Sequence, residues 1–596
     1  MAVGVSLTIL ALWLVQGFGF ASWLLPDLCR HSILRGVVAI WIGLALNVVS
    51  ACNLYYVVGL TGEQLAWPLT IGLAVISTAL AVWKSPRAGV RIDAFSWVVI
   101  ALSLLATLLV LRPLLSHGEL GFYYSNNGEF ANYAAIADVV QFHDVATELV
   151  GPFPTVSREA VAGLPCAVIA TLTGKATLWL IQPFAAAVAA LAFASLGMVF
   201  RHVALGATRQ GAVMLALVYA WAIVSAAAQT FWTLSFVSQY LSIALWFGTL
   251  VFLVETHEAS RTIRSIGFAV GIAAMTCAYP DMFLPSVALL AAFELARVEP
   301  AWRARGRAAI EIGAAMVLAL VLGNRLAYEL LASKLLAGTA GGGWNIFGPH
   351  HPALGYLANL SGLSNPFSGP RSHHAITSTI ALLLFAGGLA FAVARARREP
   401  SPTLRGLLHL GWIFFAGLAL GFGLVAHWGD GNNYVVVKLV FGFGWLAYLA
   451  VGIALASLVR WRPQVFFVAL AIVGVLWFGL ARTGVRFTKS LKRAQRAAMF
   501  VESEATAVRA ALRGRPVYVA AELYNYGIVG HFLVYDRDLF GARGQWPGAM
   551  FRYGGTVVQP YSPTTPVLVL GNYVDPKVTG TYHRTLTGRA FTFDEP

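Results

Sequence analysis

Apolar runs of about twenty residues follow one another along most of this chain, separated by short polar stretches. A helix needs about 20 predominantly apolar residues to cross the hydrocarbon core of a bilayer. On that measure, spans fall near residues 5–25, 34–57, 65–83, 95–114, 176–200, 212–228, 235–254, 266–278, 283–295, 310–331, 376–393, 407–426, 435–458 and 465–480. The expectation is a polytopic α-helical membrane protein with about 14 transmembrane helices. The runs at 266–278 and 283–295 are short and read equally well as one broken hairpin around Tyr279-Pro280-Asp281. The first run has no Lys or Arg before it and no clear small-residue cleavage site, so it is expected to be a retained helix.

The first long polar interruption is 121–164, which opens GFYYSNNGEFANYAAIADVV and carries Glu129, Asp138, Asp144, Glu148 and Glu159. Ser125-Asn126-Asn127-Gly128 can turn the chain and cap a helix, since Asn is a good N-cap and Gly tolerates the bend. Phe130, Tyr133, Ala134, Ala137 and Val140 then share a helical face. Such a helix is expected to lie on a membrane surface with its acids at the water boundary. Residues 160–173 are too short to span and suit a re-entrant or interfacial element. From Val485 onward the apolar runs stop. There the pattern predicts a helix at 494–512, a strand at 516–521, a helix or loop at 522–535, a Gly-rich stretch and a strand at 567–570. The chain therefore divides into a transmembrane domain (1–482), with long loops at 115–175 and 336–375, and a small α/β domain (483–596), within the usual domain size range.

Composition supports the membrane reading. Of 596 residues, 58% are hydrophobic and 11% charged, against about 25% charged in soluble domains. The formal net charge of +15 would suit nucleic acid in a soluble protein. Here the Arg and Lys sit between apolar runs, so they set topology and nucleic acid is not expected as a partner. Basic loops at Arg30/Arg35, Lys84/Arg87/Arg91, Arg201/Arg209, Arg261/Arg264, Arg297–Arg307, Arg395–Arg405 and Arg460/Arg462 alternate with loops nearly free of Lys and Arg. The basic loops are then cytoplasmic, and 121–164, Tyr279–Asp281, 336–375, 427–434 and the C-terminal part lie outside. A cluster from Arg482 to Arg496 runs against this order; it is kept outside because whole domains translocate despite charge. Cys29, Cys52, Cys166 and Cys277 show no CxxC spacing, so neither a zinc site nor a disulfide framework is indicated. No Walker A loop, Gly-rich dinucleotide turn or HExxH is present, so ATP- and NAD-driven chemistry has no support.

Ionisable groups at a membrane edge are functional candidates because burying them is costly. Glu129 is read as a general base at the mouth of a cavity, with Asp138 as the alternative. Glu129 equally suits a helix first turn, where the dipole favours an acid. Asp281 could bind a sugar hydroxyl or support a metal, or simply shape its turn; Asp430 in His427-Trp428-Gly429-Asp430-Gly431-Asn432-Asn433-Tyr434 is read first as shaping its loop, with substrate contact as the alternative. Lys438, inside an apolar run and on one face with Tyr434, must find an anion or snorkel outward. A lipid phosphate at headgroup level would suit it, with Arg325 a weaker parallel. His350/His351 and His373/His374, with Arg371 beside the second pair, could contact substrate or phosphate. No carboxylate pattern joins these histidines into a metal site.

Three features together resemble the GT-C superfamily of integral membrane glycosyltransferases. They are the acid opening a helix in the first large loop (NNGEFANYAAIADVV), the late helix beginning Tyr434-Val-Val-Val-Lys438, and the small domain after the last span. The resemblance covers the architecture of the whole chain but only some twenty residues in motif. It implies a sugar carried on polyprenyl phosphate, a lipid or glycan acceptor, and inversion at the anomeric centre in a bacterial inner membrane, with the site facing the periplasm. Glu129 would deprotonate the acceptor hydroxyl, and Lys438 would stabilise the departing phosphate. The departure is Asn126-Asn127-Gly128-Glu129 where members often carry paired acids. No cofactor is required by this reading, and a divalent metal is left open. Two rivals stand: a lipid or solute transporter, which predicts midplane ionisable residues and repeat symmetry, and an O-antigen polymerase or ligase, which leans on Arg and His in a large external loop.

Overall fold

The protein is described by a computed structural model. It covers residues 1–25, 32–84, 92–115, 118–123, 129–144, 154–224, 237–256, 260–279, 282–298, 301–336, 401–427, 442–471, 499–513, 517–520, 524–537, 564–570, 581–589 and 591–596, with a few isolated neighbours. Among the described residues the helices are α1 (Ala2–Leu24), α2 (Ser32–Asn53), α3 (Gly62–Lys84), α4 (Ala94–Leu111), α5 (Glu129–Phe142), α6 (Pro154–Thr173), α7 (Thr177–Leu205), α8 (Arg209–Val224), α9 (Val237–Glu255), α10 (Arg261–Ala278), α11 (Phe283–Arg297), α12 (Trp302–Leu336), α13 (Pro402–His427) and α14 (Trp445–Trp461). Beyond them lie α15 (Glu502–Leu512) and α16 (Tyr524–Tyr535). Among the described residues seven helical stretches are long and apolar enough to cross a membrane: Ala2–Leu24, Ile33–Val58, Gly62–Lys84, Ala94–Leu111, Thr177–Leu205, Val237–Glu255 and Trp302–Asn324. The chain is a helical membrane protein. The span expected at 376–393 falls almost wholly outside the described residues.

The bundle is organised around α7 and α9, whose side chains are buried on nearly every face. A helix that is apolar all round belongs in an interior. By contrast α3 and α12 carry apolar residues outward, such as Trp67, Ile71 and Val75, and Ile310, Val317 and Val321. That is the distribution hydrocarbon requires. Small residues set the closest helix contacts, as is usual in membranes. A methyl group at Gly17 of α1 would overlap Ala39 O of α2, and one at Gly43 of α2 would overlap Trp13 O of α1. Gln16 and Asn47 add a buried side-chain bond of 2.5 Å across the same pair of helices.

The helix predicted after the Asn-Asn-Gly turn is present, and it starts at Glu129. Its surroundings differ from the expected membrane surface. From Phe130 to Gln141 every side chain except Asn132 is buried. The physical reason lies in its composition: four alanines let neighbours approach all round, and α6, α7 and α16 fill those sides. Residues 162–170, expected to be re-entrant or interfacial, form the buried part of α6 against it.

The C-terminal part folds as a four-stranded sheet in the order β3-β4-β6-β5, from β3 (Tyr518–Ala520), β4 (Val567–Leu570), β5 (His583–Thr587) and β6 (Phe591–Glu595). β3 and β4 run parallel, and the rest antiparallel. Strands at 518–520 and 567–570 stand where the pattern predicts them. The hairpin β5–β6 was not foreseen, although Phe591 and Phe593 inward with Thr592 and Asp594 between them have the period of two that marks a half-buried strand.

Candidate functional site

One short pairing ties the first loop to the C-terminal part. β1 (Gly121–Tyr123) pairs antiparallel with β2 (Met499–Val501) in the register Gly121↔Val501 to Tyr123↔Met499. Glu502 N–H donates to Leu120 O at 3.1 Å, extending the ladder. Alternation along an antiparallel ladder then turns the backbone polar groups of Tyr123 away from β2. They meet Gln182 of α7 instead: Tyr123 N–H donates to Gln182 Oε1 at 3.1 Å, and Gln182 Nε2 donates to Tyr123 O at 2.7 Å. One glutamine thus replaces a third strand on that side. Around it, Ser503 donates through N–H and Oγ to Glu119 at 3.1 and 3.0 Å, and Lys175 pairs with Glu502 at 2.7 Å. Burial pushes the Tyr123 phenol above its ordinary pKa.

α5 follows this clamp. Thr177 Oγ1 donates to Ala134 O at 2.7 Å, Tyr133 shares a 2.5 Å bond with Ser238 of α9, and Gln141 Nε2 donates to Thr171 at 3.1 Å. Glu129 takes the first helical position; its side chain lies outside the described residues. Asp138 is fully buried in the middle of the helix. Nine residues separate the two acids, so they stand about 13 Å apart along the axis and on opposite faces. They cannot work as a pair on one reacting atom within this helix, and Asp138 is removed from the water boundary where the amphipathic reading placed it.

A second convergence lies at the ends of α2, α10 and α12. Helix α12 breaks at Asn324, whose φ of 56° and ψ of −158° lie outside the helical region. Asn324 Nδ2 donates to Asn53 Oδ1 at 3.2 Å, and Asn53 Nδ2 donates to Leu322 O at 2.8 Å, so the last residue of α2 takes over polar groups at the break. Arg325 follows directly in the backbone; its side chain is outside the described residues. Cys52 and Cys277 lie against each other here, which brings the end of α10 to the same place. Tyr279 and Met282 close the next turn with a 3.1 Å backbone bond. Asp281 within that turn lies outside the described residues, as do Asp430, Tyr434, Lys438, His350, His351, Arg371, His373 and His374.

The opposite end of the bundle is basic. Arg201 of α7, almost wholly buried, bonds Asp93 at 2.6 Å. Burial would raise the Asp93 carboxyl, but the Ser96 N–H and the Arg201 guanidinium hold it below the usual carboxylate range. Arg264 pairs with Glu294, Arg297 with Glu294 at 3.3 Å, and Arg261 with Glu311 at 3.2 Å. The span of α10, from Arg261 to Ala278, puts about 27 Å between this end and the Cys277 end.

Sequence reasoning missed Gln182, Asn53 and Asn324. Each was visible as a lone amide in or beside an apolar run, the pattern that calls for a hydrogen-bond partner in a membrane protein. Among the described residues no group of three or more His, Cys, Asp or Glu could hold a metal ion. Comparison of the chain with family models, curated proteins and solved structures found no match.

Proposed function

We propose that the protein is a membrane glycosyltransferase that moves a sugar from a polyprenyl-phosphate donor to a lipid or glycan acceptor, with inversion. The observation that supports this reading is the convergence at one end of the bundle. The β1–β2 clamp, α5 opened by Glu129, the turn after α10 and the break before Arg325 all gather away from the Arg-rich end. A donor delivered by its own apolar tail would present its phosphosugar at such an end. No nucleotide-binding loop is available to hold an alternative activated sugar. In this reading Glu129, the first residue of α5, is the base for the acceptor hydroxyl. Lys438, with Arg325 and Arg371, meets the donor phosphate; Tyr434, the His pairs and Asp430 contact substrate. Asp281 is the further acid on the turn after α10.

The finer topology belongs to the same proposal: fourteen spans in a bacterial inner membrane, the Arg-rich end cytoplasmic, and the clamp, the active site and the domain from 483 onward on the periplasmic side. The test uses purified protein in lipid nanodiscs with radiolabelled polyprenyl-phosphate sugars and extracted acceptor lipids. Glu129→Gln is expected to abolish transfer with the fold intact by thermal unfolding. Undiminished product from that variant would remove the base assignment. No transfer from any polyprenyl-phosphate sugar by the wild type, with a lipid or solute instead moved across sealed vesicles, would favour the transporter.

A further inference from the structure

At the Arg-rich end, α9, α10, α11 and α12 enclose a cavity of about 270 Å³. Three arginines line it: Arg261, Arg264 and Arg297. The lining carboxylates are two, Glu294 and Glu311. Glu294 is shared by Arg264 and Arg297, and Glu311 meets Arg261. The carboxylates therefore orient the guanidiniums and leave the wall one positive charge in excess. Arg264 is buried and fixed from two sides, since it also donates to Leu253 O at 3.0 Å. Arg261 stays 65% exposed at the mouth, with one of its five N–H donors placed on Glu311. Arg303, Arg305 and Arg307 stand exposed on the first two turns of α12 and add to the same field.

The depth of this cavity is marked by Trp302, 78% exposed at the start of α12 with Arg303 over its ring. Exposed Trp beside Arg at the end of an apolar helix is the signature of the headgroup layer. Deeper in, the cavity wall turns apolar through Phe268, Ile312 and Ala315. On α12, Leu318 lies seven residues below Glu311 on the same face and is exposed, so the apolar path continues toward lipid. The volume falls below the roughly 300–1,000 Å³ of a pocket for a drug-sized molecule, which suits a headgroup whose chains stay in the bilayer.

We infer that this cavity binds the phosphate headgroup of an anionic phospholipid in the leaflet at the Arg-rich end, with the acyl chains along α12. Basic pockets between membrane helices are the recognised setting for such headgroups, and Arg forks match phosphate oxygens. This site stands at the other end of the bundle from the proposed glycosyl-transfer chemistry and does not rest on that reading.

The experiment is native mass spectrometry of the full chain, delipidated in detergent and titrated with phosphatidylglycerol, phosphatidylcholine or inorganic phosphate. Phosphatidylglycerol is expected to bind at least tenfold tighter than phosphatidylcholine, and inorganic phosphate is expected not to displace it. The double variant Arg261→Gln/Arg297→Gln should lose that preference. Ala308→Trp, which fills the cavity and leaves every charge in place, should lower binding of phosphatidylglycerol as well; it covers the case in which the charge variant fails to fold. Equal binding of the two lipids, or an unchanged preference in a folded Ala308→Trp protein, would overturn the inference. Displacement by inorganic phosphate would overturn the lipid assignment in favour of a soluble anion.

Discussion

Gln182→Met removes the clamp on the first loop without changing the volume that fills it. In the wild type the Gln182 amide satisfies both backbone groups of Tyr123, at 3.1 and 2.7 Å, and both residues are only 3% exposed. The variant leaves a buried N–H and a buried C=O without their partner. Each such group costs about 1–3 kcal/mol, and partial relaxation of a three-residue strand returns some of it. A net loss of about 3 kcal/mol for local opening is therefore expected, which is roughly a hundredfold in the opening equilibrium at about 1.4 kcal/mol per decade. Hydrogen–deuterium exchange in nanodiscs reads this directly. Protection over 120–123 and 500–502 should fall by about two orders of magnitude, while the first turns of α10 and α12, at the opposite end of the bundle, keep theirs. Protection changed by less than about threefold would refute the idea that one side chain stands in for a strand. On the proposed function, transfer should fall with the protection, because the clamp ends six residues before Glu129 opens α5.

Two further outcomes follow from the geometry and a third from the proposed function. Asp93→Asn leaves the buried Arg201 without its carboxylate and should cost about 3 kcal/mol at neutral pH; since the Asp93 pKa is held low in the fold, the stability it contributes is present above the usual carboxylate pKa and lost as pH falls through the depressed value. The gap in thermal stability between wild type and Asp93→Asn should therefore shrink in acid, and a gap independent of pH would contradict the pairing. Gly17→Ala should destabilise by about 1–3 kcal/mol through overlap with Ala39 O, whereas Gly4→Ala, with open space around it, should be neutral or slightly stabilising in the same melting assay. Glu129→Gln should leave the melting temperature within a degree or two and remove sugar transfer, and a variant that melts normally and still transfers would discard Glu129 as the base.

What could be read from the sequence follows the range of each interaction. The helices of α1 to α4, α7 and α9 were legible because about twenty apolar residues in a row admit one solution in a bilayer. The start of α5 was legible because Asn126-Asn127-Gly128 is a local signal that needs no partner. The burial of α5 was not, because a run of alanines between Phe130 and Val140 can face lipid or protein, and only the approach of α6, α7 and α16 decides between them. β1 and β2 were missed for a related reason. Each is three residues long, and the two lie more than 370 positions apart in the chain, so neither has a pattern until the other is beside it. The same argument bears on the site. Glu129 stood out because it opens a helix in a polar loop, while Gln182, buried in an apolar run, and Asn53, half-buried at the end of one, determine where that loop and the broken end of α12 are held. In a helical membrane protein a lone amide inside an apolar run must find a hydrogen bond from outside its own helix or leave its polar atoms unpaired in hydrocarbon. Asn47, Asn53 and Gln182 meet that demand across helices or loops, and Gln16 meets it through Oε1 alone, its buried Nε2 having no partner. Such amides therefore report long-range contacts that periodicity cannot reach, and here Asn53 and Gln182 point to the end of the bundle where the polar loops gather.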